Sequence, residues 1–265
     1  MRPPRRLPSL LAAVVLLGLL PLPAAAKKTL GAPPPPYFGP IPTQQIGPSF
    51  IGAPACSVGA RFRTPTESNY YFEPPDDFFF MLLDPAECPE CTDGLILQFA
   101  HFVLEFRARC VQPVEMTILR SLPGPCPKPD LASPPICGPI GYNLTQDRLG
   151  VIDYRLSMPA DCCINEKAFL CFRINSLGVG CDDTNGPMVV WDADGPCDPC
   201  RSYNYYTDNV TGDQVKDDIC TVTTGIPPVP AFSGPLTQYA EAACCTSVPT
   251  IPTSWGSLKI RYSTP

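Results

Sequence analysis

The sequence predicts an all-β protein, an antiparallel β-sandwich with the jelly roll as one form of it, carrying long Pro-, Gly- and Cys-rich loops and several disulfides. Three observations carry that expectation. Apolar residues recur with period two over many short segments, the pattern of strands with one buried face. Proline reaches 37 of 265 residues, a content that suits neither helix interiors nor long central strands. Cysteine is frequent, at 15 residues, and no long amphipathic helix or strand–helix alternation breaks the pattern.

The strand signals follow one another along the chain. Residues 78–83, Phe-Phe-Phe-Met-Leu-Leu, form a continuous apolar run suited to a strand covered on both faces. Ala100, Phe102, Leu104, Phe106 and Ala108 then alternate with His101, Glu105, Arg107 and Arg109. Phe99, Phe102, Val103 and Phe106 also fit a helical spacing, and the alternation is preferred. Further period-two sets are Val114, Met116 and Ile118; then Ile152, Tyr154, Leu156 and Met158, facing away from Asp153, Arg155 and Ser157. Ala168, Leu170, Phe172 and Ile174 make another, residues 188–191 a brief apolar strand, and Leu258, Ile260 and Tyr262 a closing one. Opposed apolar faces of this kind pack as two sheets. Residues 201–245 read as a long polar loop, a natural place for function on such a scaffold.

The N-terminus reads as a cleavable export signal over residues 1–26. Arg2, Arg5 and Arg6 precede a largely apolar stretch over residues 7–22, and Ala24-Ala25-Ala26 supplies small residues for cleavage. That stretch is shorter than the ~20 residues a spanning helix needs, and no later segment is long and apolar enough to enter a bilayer stably. Residues 27–54 hold eight prolines, four of them consecutive, and read as a proline-rich linker. Residues 55–265 are then the disulfide-rich sandwich domain, in a secreted, extracellular protein.

Loss of the three signal arginines takes the net charge from −6 to −9. An acidic chain disfavours nucleic acid and anionic membrane as partners, which leaves an extracellular protein or glycan. All fifteen cysteines follow the signal, the first being Cys56. In an oxidising compartment they form disulfides, and the odd number leaves at least one thiol over. Cys88-Pro-Glu-Cys91 and Cys197-Asp-Pro-Cys200 have zinc-ligand spacing, yet export favours their oxidation.

Candidate chemistry is sparse. Asp182, Asp183, Asp192 and Asp194 precede glycines in two short acidic loops, the hard-oxygen ligand pattern of a structural Ca²⁺ site; ordinary turns use the same residues. No other cofactor is implied. Any hydrolytic triad must use the one histidine, His101, and no G-x-S-x-G elbow accompanies it. Its place on a polar strand face reads as a surface histidine. Tyr203, Tyr205 and Tyr206 crowd the 201–245 segment, with Tyr70, Tyr71 and Phe72 in another. Exposed tyrosines suit sugar rings or protein partners, while buried ones pack loops onto the sandwich. Asn143-Leu-Thr145 and Asn209-Val-Thr211 are sequons and imply surface positions. The expected function is binding or structural and not catalytic. The alternative is a carbohydrate-active module, either sugar-binding or a two-carboxylate glycosidase.

Overall fold

Side chains alternate across a strand, so a run that is apolar at every position must be covered on both sides. Residues 78–83 meet that condition in a computed structural model of the chain. It describes residues 40–49, 54–61, 66–71, 76–182, 187–192, 196–208, 211–224, 229–230 and 234–245. Phe79, Met81 and Leu83 join the main core, while Phe80 and Leu82 join a second apolar cluster on the opposite face.

The architecture is an all-β sandwich of two mostly antiparallel sheets. The larger sheet runs β1 (Thr43–Ile46), β9 (Gly150–Ser157), β5 (Leu95–Phe106), β12 (Met188–Asp192) and β3 (Thr66–Tyr71). Strands β10 (Cys163–Ile164) and β17 (Gln238–Cys244) also pair with β5, and β2 (Cys56–Ala60) pairs with β17. The second sheet runs β14 (Gln214–Asp218), β13 (Ser202–Thr207), β4 (Asp77–Leu83), β11 (Ala168–Ile174), β6 (Gln112–Leu122) and β7 (Lys128–Pro129). Strand β8 (Cys137–Leu144) lies on β6, and β15 (Thr223–Thr224) with β16 (Val229–Pro230) forms a small ribbon. The one helical element among the described residues is a 3₁₀ turn at Pro85–Glu87, with Pro at its start and Asp84 accepting from the Ala86 N–H.

Between the sheets, Phe102 of β5 stacks on Phe172 of β11 at 4.3 Å between centroids, and Phe106 meets Tyr154 edge-on at 5.9 Å. Trp191 of β12 and Ile152 of β9 complete the same core. Every strand assigned from alternation between residues 78 and 191 is present, and the helical reading of 99–106 is not taken. Its residues are too evenly divided between the two faces for one helical stripe.

Two expectations change. Residues 43–46, inside the proline-rich linker 27–54, form an edge strand of the sandwich, paired in parallel with Asp153–Leu156 through Thr43↔Asp153 and Ile46↔Leu156. Prolines flank that strand and do not enter it, so pairing is not interrupted. Residues 201–245 are not one loop: β13, β14 and β17 lie there, with β13 paired to β4 and β17 to β5. Their polar residues turn inward, Asn204 onto the Asp77 carboxylate at 2.7 Å and Gln238 at 0% exposure, so no apolar alternation marks them. The signal, most of the linker and the closing strand at 258–262 fall outside the described residues.

Seven disulfides tie the sheets and loops. Cys56–Cys88 and Cys137–Cys162 each join segments of the two sheets. Both C-x-x-C pairs are crossed: Cys88 goes to Cys56, Cys91 to Cys244, Cys197 to Cys220 and Cys200 to Cys126. Adjacent cysteines also diverge, Cys162 to Cys137 and Cys163 to Cys245. The odd thiol is Cys171, buried on β11 in the second cluster, where desolvation pushes its pKa far up. This set of crosslinks fits an oxidising compartment, and no helix among the described residues is long and apolar enough to cross a membrane.

Two outcomes follow. Phe102→Ala empties the centre of the inter-sheet core and lowers stability by about 3–5 kcal/mol in urea unfolding, whereas Leu122→Ala, at a position 44% exposed, stays within about 0.5 kcal/mol. Mass spectrometry after alkylation without reductant shows no adduct on the folded protein and a single adduct, at Cys171, once it is unfolded.

Candidate functional site

Strand β13 carries the three tyrosines singled out from the sequence, and alternation splits them. Tyr203 and Tyr205 face outward from the second sheet; Tyr206 faces the other way with Ser202 and Asn204. All three are 3–4% exposed, so their ring faces are not open platforms. Tyr205 packs edge-on to Phe80 at 4.9 Å and Tyr203 edge-on to Phe169 at 5.8 Å, while the Lys216 ammonium lies 5.6 Å from the Tyr205 ring centre. A strand whose two faces are both covered requires this. Tyr70 and Tyr71 lie on β3, and Phe72 falls outside the described residues.

The edges of Tyr203 and Tyr205 nevertheless floor a groove of about 540 Å³ on the outer face of the second sheet. One wall is a strap, residues 122–132; the other is Lys216 and Asp218 of β14 with Thr221 beyond it. The strap is held at several points. Pro129 pairs with Ser121, Asp130 N–H donates to Arg120 O at 2.9 Å, and Ile136 N–H donates to Ile118 O at 2.8 Å. The Cys126–Cys200 disulfide fixes it to the start of β13, and the Tyr203 hydroxyl donates to Pro127 O at 2.7 Å. A groove walled in this way is largely pre-formed, as binding sites usually are.

Both carboxylates of the groove serve its backbone. Asp130 Oδ1 accepts from Ala132 N–H at 3.0 Å and Ser133 N–H at 3.2 Å. The Ser133 hydroxyl and these amides hold its carboxyl below the usual range. Asp218 accepts from Cys200 N–H through Oδ2 at 2.6 Å and from Cys220 N–H through Oδ1 at 3.1 Å. Cys126, Cys200 and Asp218 bring potential ligand atoms within 4.8 Å of one another. Those sulfurs are joined in a disulfide, however, and zinc takes thiolates.

The acidic loops read as a Ca²⁺ site are only partly in view. Asp182 is half-buried after Cys181, and Asp192 is buried at the end of β12, its N–H donating to Pro235 O at 3.1 Å. Asp183 and Asp194 lie outside the described residues. Neither Asp182 nor Asp192 enters a group of three or more ligating side chains among the described residues.

His101 departs most from expectation. It is 1% exposed, on the outward face of β5. Asp153 of β9 receives its Nδ1 at 2.9 and 3.0 Å, and the same carboxylate accepts from Tyr239 Oη at 3.0 Å and Thr43 Oγ1 at 3.3 Å. The Tyr239 ring stacks on the imidazole at 4.0 Å. On the other side Glu241 Oε1 stands 3.4 Å from Nε2, an ion-pair distance without hydrogen-bond alignment. Arg155 pairs with Glu241 Oε2 at 2.5 Å, donates to Gln45 Oε1 at 2.6 Å and lies over Phe99. The network spans β1, β9, β5 and β17 in adjacent registers, with Tyr239 opposite His101 opposite Arg155. Sequence reasoning missed Asp153, Tyr239 and Glu241 as its members. The usable signal was that two neighbouring period-two segments carry ionisable residues on their polar faces.

Burial, the largest single influence, would lower the His101 pKa; the hydrogen bond to Asp153 and the nearby charges of Asp153 and Glu241 together outweigh it, and the pKa is raised. The His101 contact, against some desolvation and with help from Arg155, brings Glu241 down to about 2. No protein-family model, curated protein or solved structure matches the chain.

The sign of the pH effect follows. A raised histidine pKa favours the charged form in the fold, so its stabilisation is full below the unfolded value near 6.5 and fades as pH rises through the folded value. Glu241 works the other way, its contribution being lost as pH falls from the ordinary glutamate range toward about 2. Urea unfolding between pH 6 and 10 therefore shows declining stability. His101→Gln, which leaves Asp153 buried without its cation, costs about 3–5 kcal/mol at pH 6 and flattens the decline.

Proposed function

We propose that the protein is exported and acts outside the cell as a binding module without catalytic activity, its contact site being the groove between the strap and β13–β14. The observation that carries this reading is the groove's construction. A disulfide, a tyrosine hydroxyl and two paired strands hold its walls, and its floor offers aromatic edges beside polar groups. Specific sites combine apolar lining with a few fixed polar groups in this way.

The chemistry around it supports binding over turnover. A glycosidase keeps one carboxyl protonated while a second is ionised, yet Asp130 is held in the opposite direction and Asp218 is spent on Cys200 and Cys220. The single imidazole is enclosed between Asp153 and Glu241 on the other sheet. A carbohydrate-active module is the second reading, favoured by the tyrosine edges and the polar walls, and its sugar-binding form uses this same groove.

A glycan array with the oxidised protein tests the proposal. The wild type is expected to retain a defined set of glycans, and Tyr205→Phe, which keeps the ring and removes the hydroxyl, to weaken them by about 2- to 12-fold. Retention without any effect of the hydroxyl, or no retention at all, overturns the assignment of the groove. Release of new reducing ends from a bound glycan replaces it with the glycosidase. Melting with and without Ca²⁺ checks the acidic loops in the same samples.

A further inference from the structure

The groove is balanced in charge and lined by apolar side chains. Lys128 and Lys216 share it with Asp130 and Asp218, and the strap adds Leu122, Leu131 and Ala132, the two leucines 44% exposed. Both carboxylates accept from backbone N–H groups. The strap is itself rich in proline, with Pro123, Pro125, Pro127 and Pro129. Tyr203 shows how the sheet holds such a chain, its hydroxyl donating to Pro127 O at 2.7 Å. Tyr205 follows on the same face of β13, its ring centre 6.0 Å from that of Tyr203. It lines the open groove, and its hydroxyl makes no hydrogen bond among the described residues. The grip that Tyr203 applies to the strap is therefore repeated at Tyr205 with nothing from the described chain in it.

We propose, resting on the groove reading above, that the groove receives a proline-rich segment, residues 31–39 of a second copy of this chain. That segment reads Gly-Ala-Pro-Pro-Pro-Pro-Tyr-Phe-Gly and lies outside the described residues. It carries no charge, and a run of prolines offers carbonyl acceptors without N–H donors. Such a ligand suits apolar walls, balanced charges, engaged carboxylates and a tyrosine hydroxyl with a proton to donate. Proline-rich segments dock in aromatic-lined grooves in this way, their extended form costing little entropy to fix. Strand addition is closed to any ligand there, because β13 is already paired on both sides by β4 and β14. Chain length assigns the segment to a second copy. Ile41 packs with Val103, Val151 and Val190 on the outer face of the larger sheet, whereas the groove lies outside the other sheet. Pro36 stands four residues before Pro40 and reaches at most about 14 Å from it. Two packed sheets alone stand about 10 Å apart, before the side-chain layer outside each sheet and the width from β1 across to β13. The contact joins unlike patches, so association runs head to tail.

Sedimentation of the oxidised full chain, together with titration of a synthetic peptide of residues 31–39, tests the proposal. The chain is expected to self-associate as its concentration rises, and the peptide to bind it and disperse the assemblies. Tyr205→Phe is expected to weaken both by about 2- to 12-fold with thermal melting unchanged. Pro34→Ala/Pro35→Ala in the full chain is expected to lose self-association and still bind the peptide, since its groove is intact. A chain that stays monomeric overturns the second copy; if it also binds the peptide more tightly once Pro34 and Pro35 are replaced, the segment occupies its own groove. Peptide binding that ignores Tyr205→Phe places the segment elsewhere and overturns the inference. Failure of the peptide to bind overturns it as well. Retention on the glycan array that depends on Tyr205 then leaves the groove reading standing, and failure on the array sinks the two together.

Discussion

His101 stands near the middle of β5 at 1% exposure, so its charge has to be met inside the protein. An isolated ionised group in a low-dielectric setting costs several kcal/mol even after relaxation. The larger sheet supplies the remedy through its register. Arg155 of β9 and Tyr239 of β17 sit opposite His101, which sets Asp153 and Glu241 on either side of the ring. Asp153 is then satisfied by three donors from three strands, β5, β17 and β1. The same carboxylate that holds the imidazole also holds Thr43, and Arg155 holds Gln45, so the parallel edge strand is secured by side chains as well as by its backbone. A one-residue slip of β9 or β17 would turn these partners to the opposite face. The charge network thus specifies register as well as adding attraction.

The second sheet answers a different demand. Its strands β4 and β11 are apolar on both faces, and the outer one has to be covered. Tyr203, Tyr205 and the strap do this, with the Cys126–Cys200 bridge keeping the strap in place. Cys126–Cys200 closes a separation of 74 residues, and Cys91–Cys244 one of 153. Closures of that length remove much of the freedom of the unfolded chain in the loop-entropy account. The groove is a consequence of the cover: the strap spans an apolar sheet without filling the space between itself and β14.

What was legible in the sequence was the part governed by period-two burial. Phe78 to Leu83, the 100–106 alternation and the 168–174 set predict β4, β5 and β11, because large apolar side chains mark both the strand and its faces. Strands β13 and β17 were not legible. Ser202, Asn204 and Gln238 are polar residues with no exposure, and Ala240 and Ala242 are too small to advertise a core. Thr43–Ile46 was hidden by its proline-rich surroundings, since composition is averaged over a stretch and pairing is decided residue by residue. The tyrosine-rich segment was found as a site of interest, but its rings proved to be the floor's structure, and only their edges reach the groove. Lys128 and Lys216 carry no sequence signal. They lie 88 positions apart and line one groove only because β7 folds back on β6 while β14 extends the sheet on its other side.

The two polar regions also explain each other. Carboxylates are in excess in this chain, yet those at both sites have structural employment. Asp153 and Glu241 neutralise His101 and Arg155, and Asp130 and Asp218 cap turns at the strap and at the Cys197–Cys220 loop. A carboxylate accepting backbone N–H bonds is held in its charged form. Lys128 and Lys216 make no ion pair among the described residues, yet the groove they line also holds Asp130 and Asp218, so two positive charges face two negative ones there. The groove is therefore locally balanced in a protein whose net charge is negative, and its rings and apolar side chains shape it as much as its charges do.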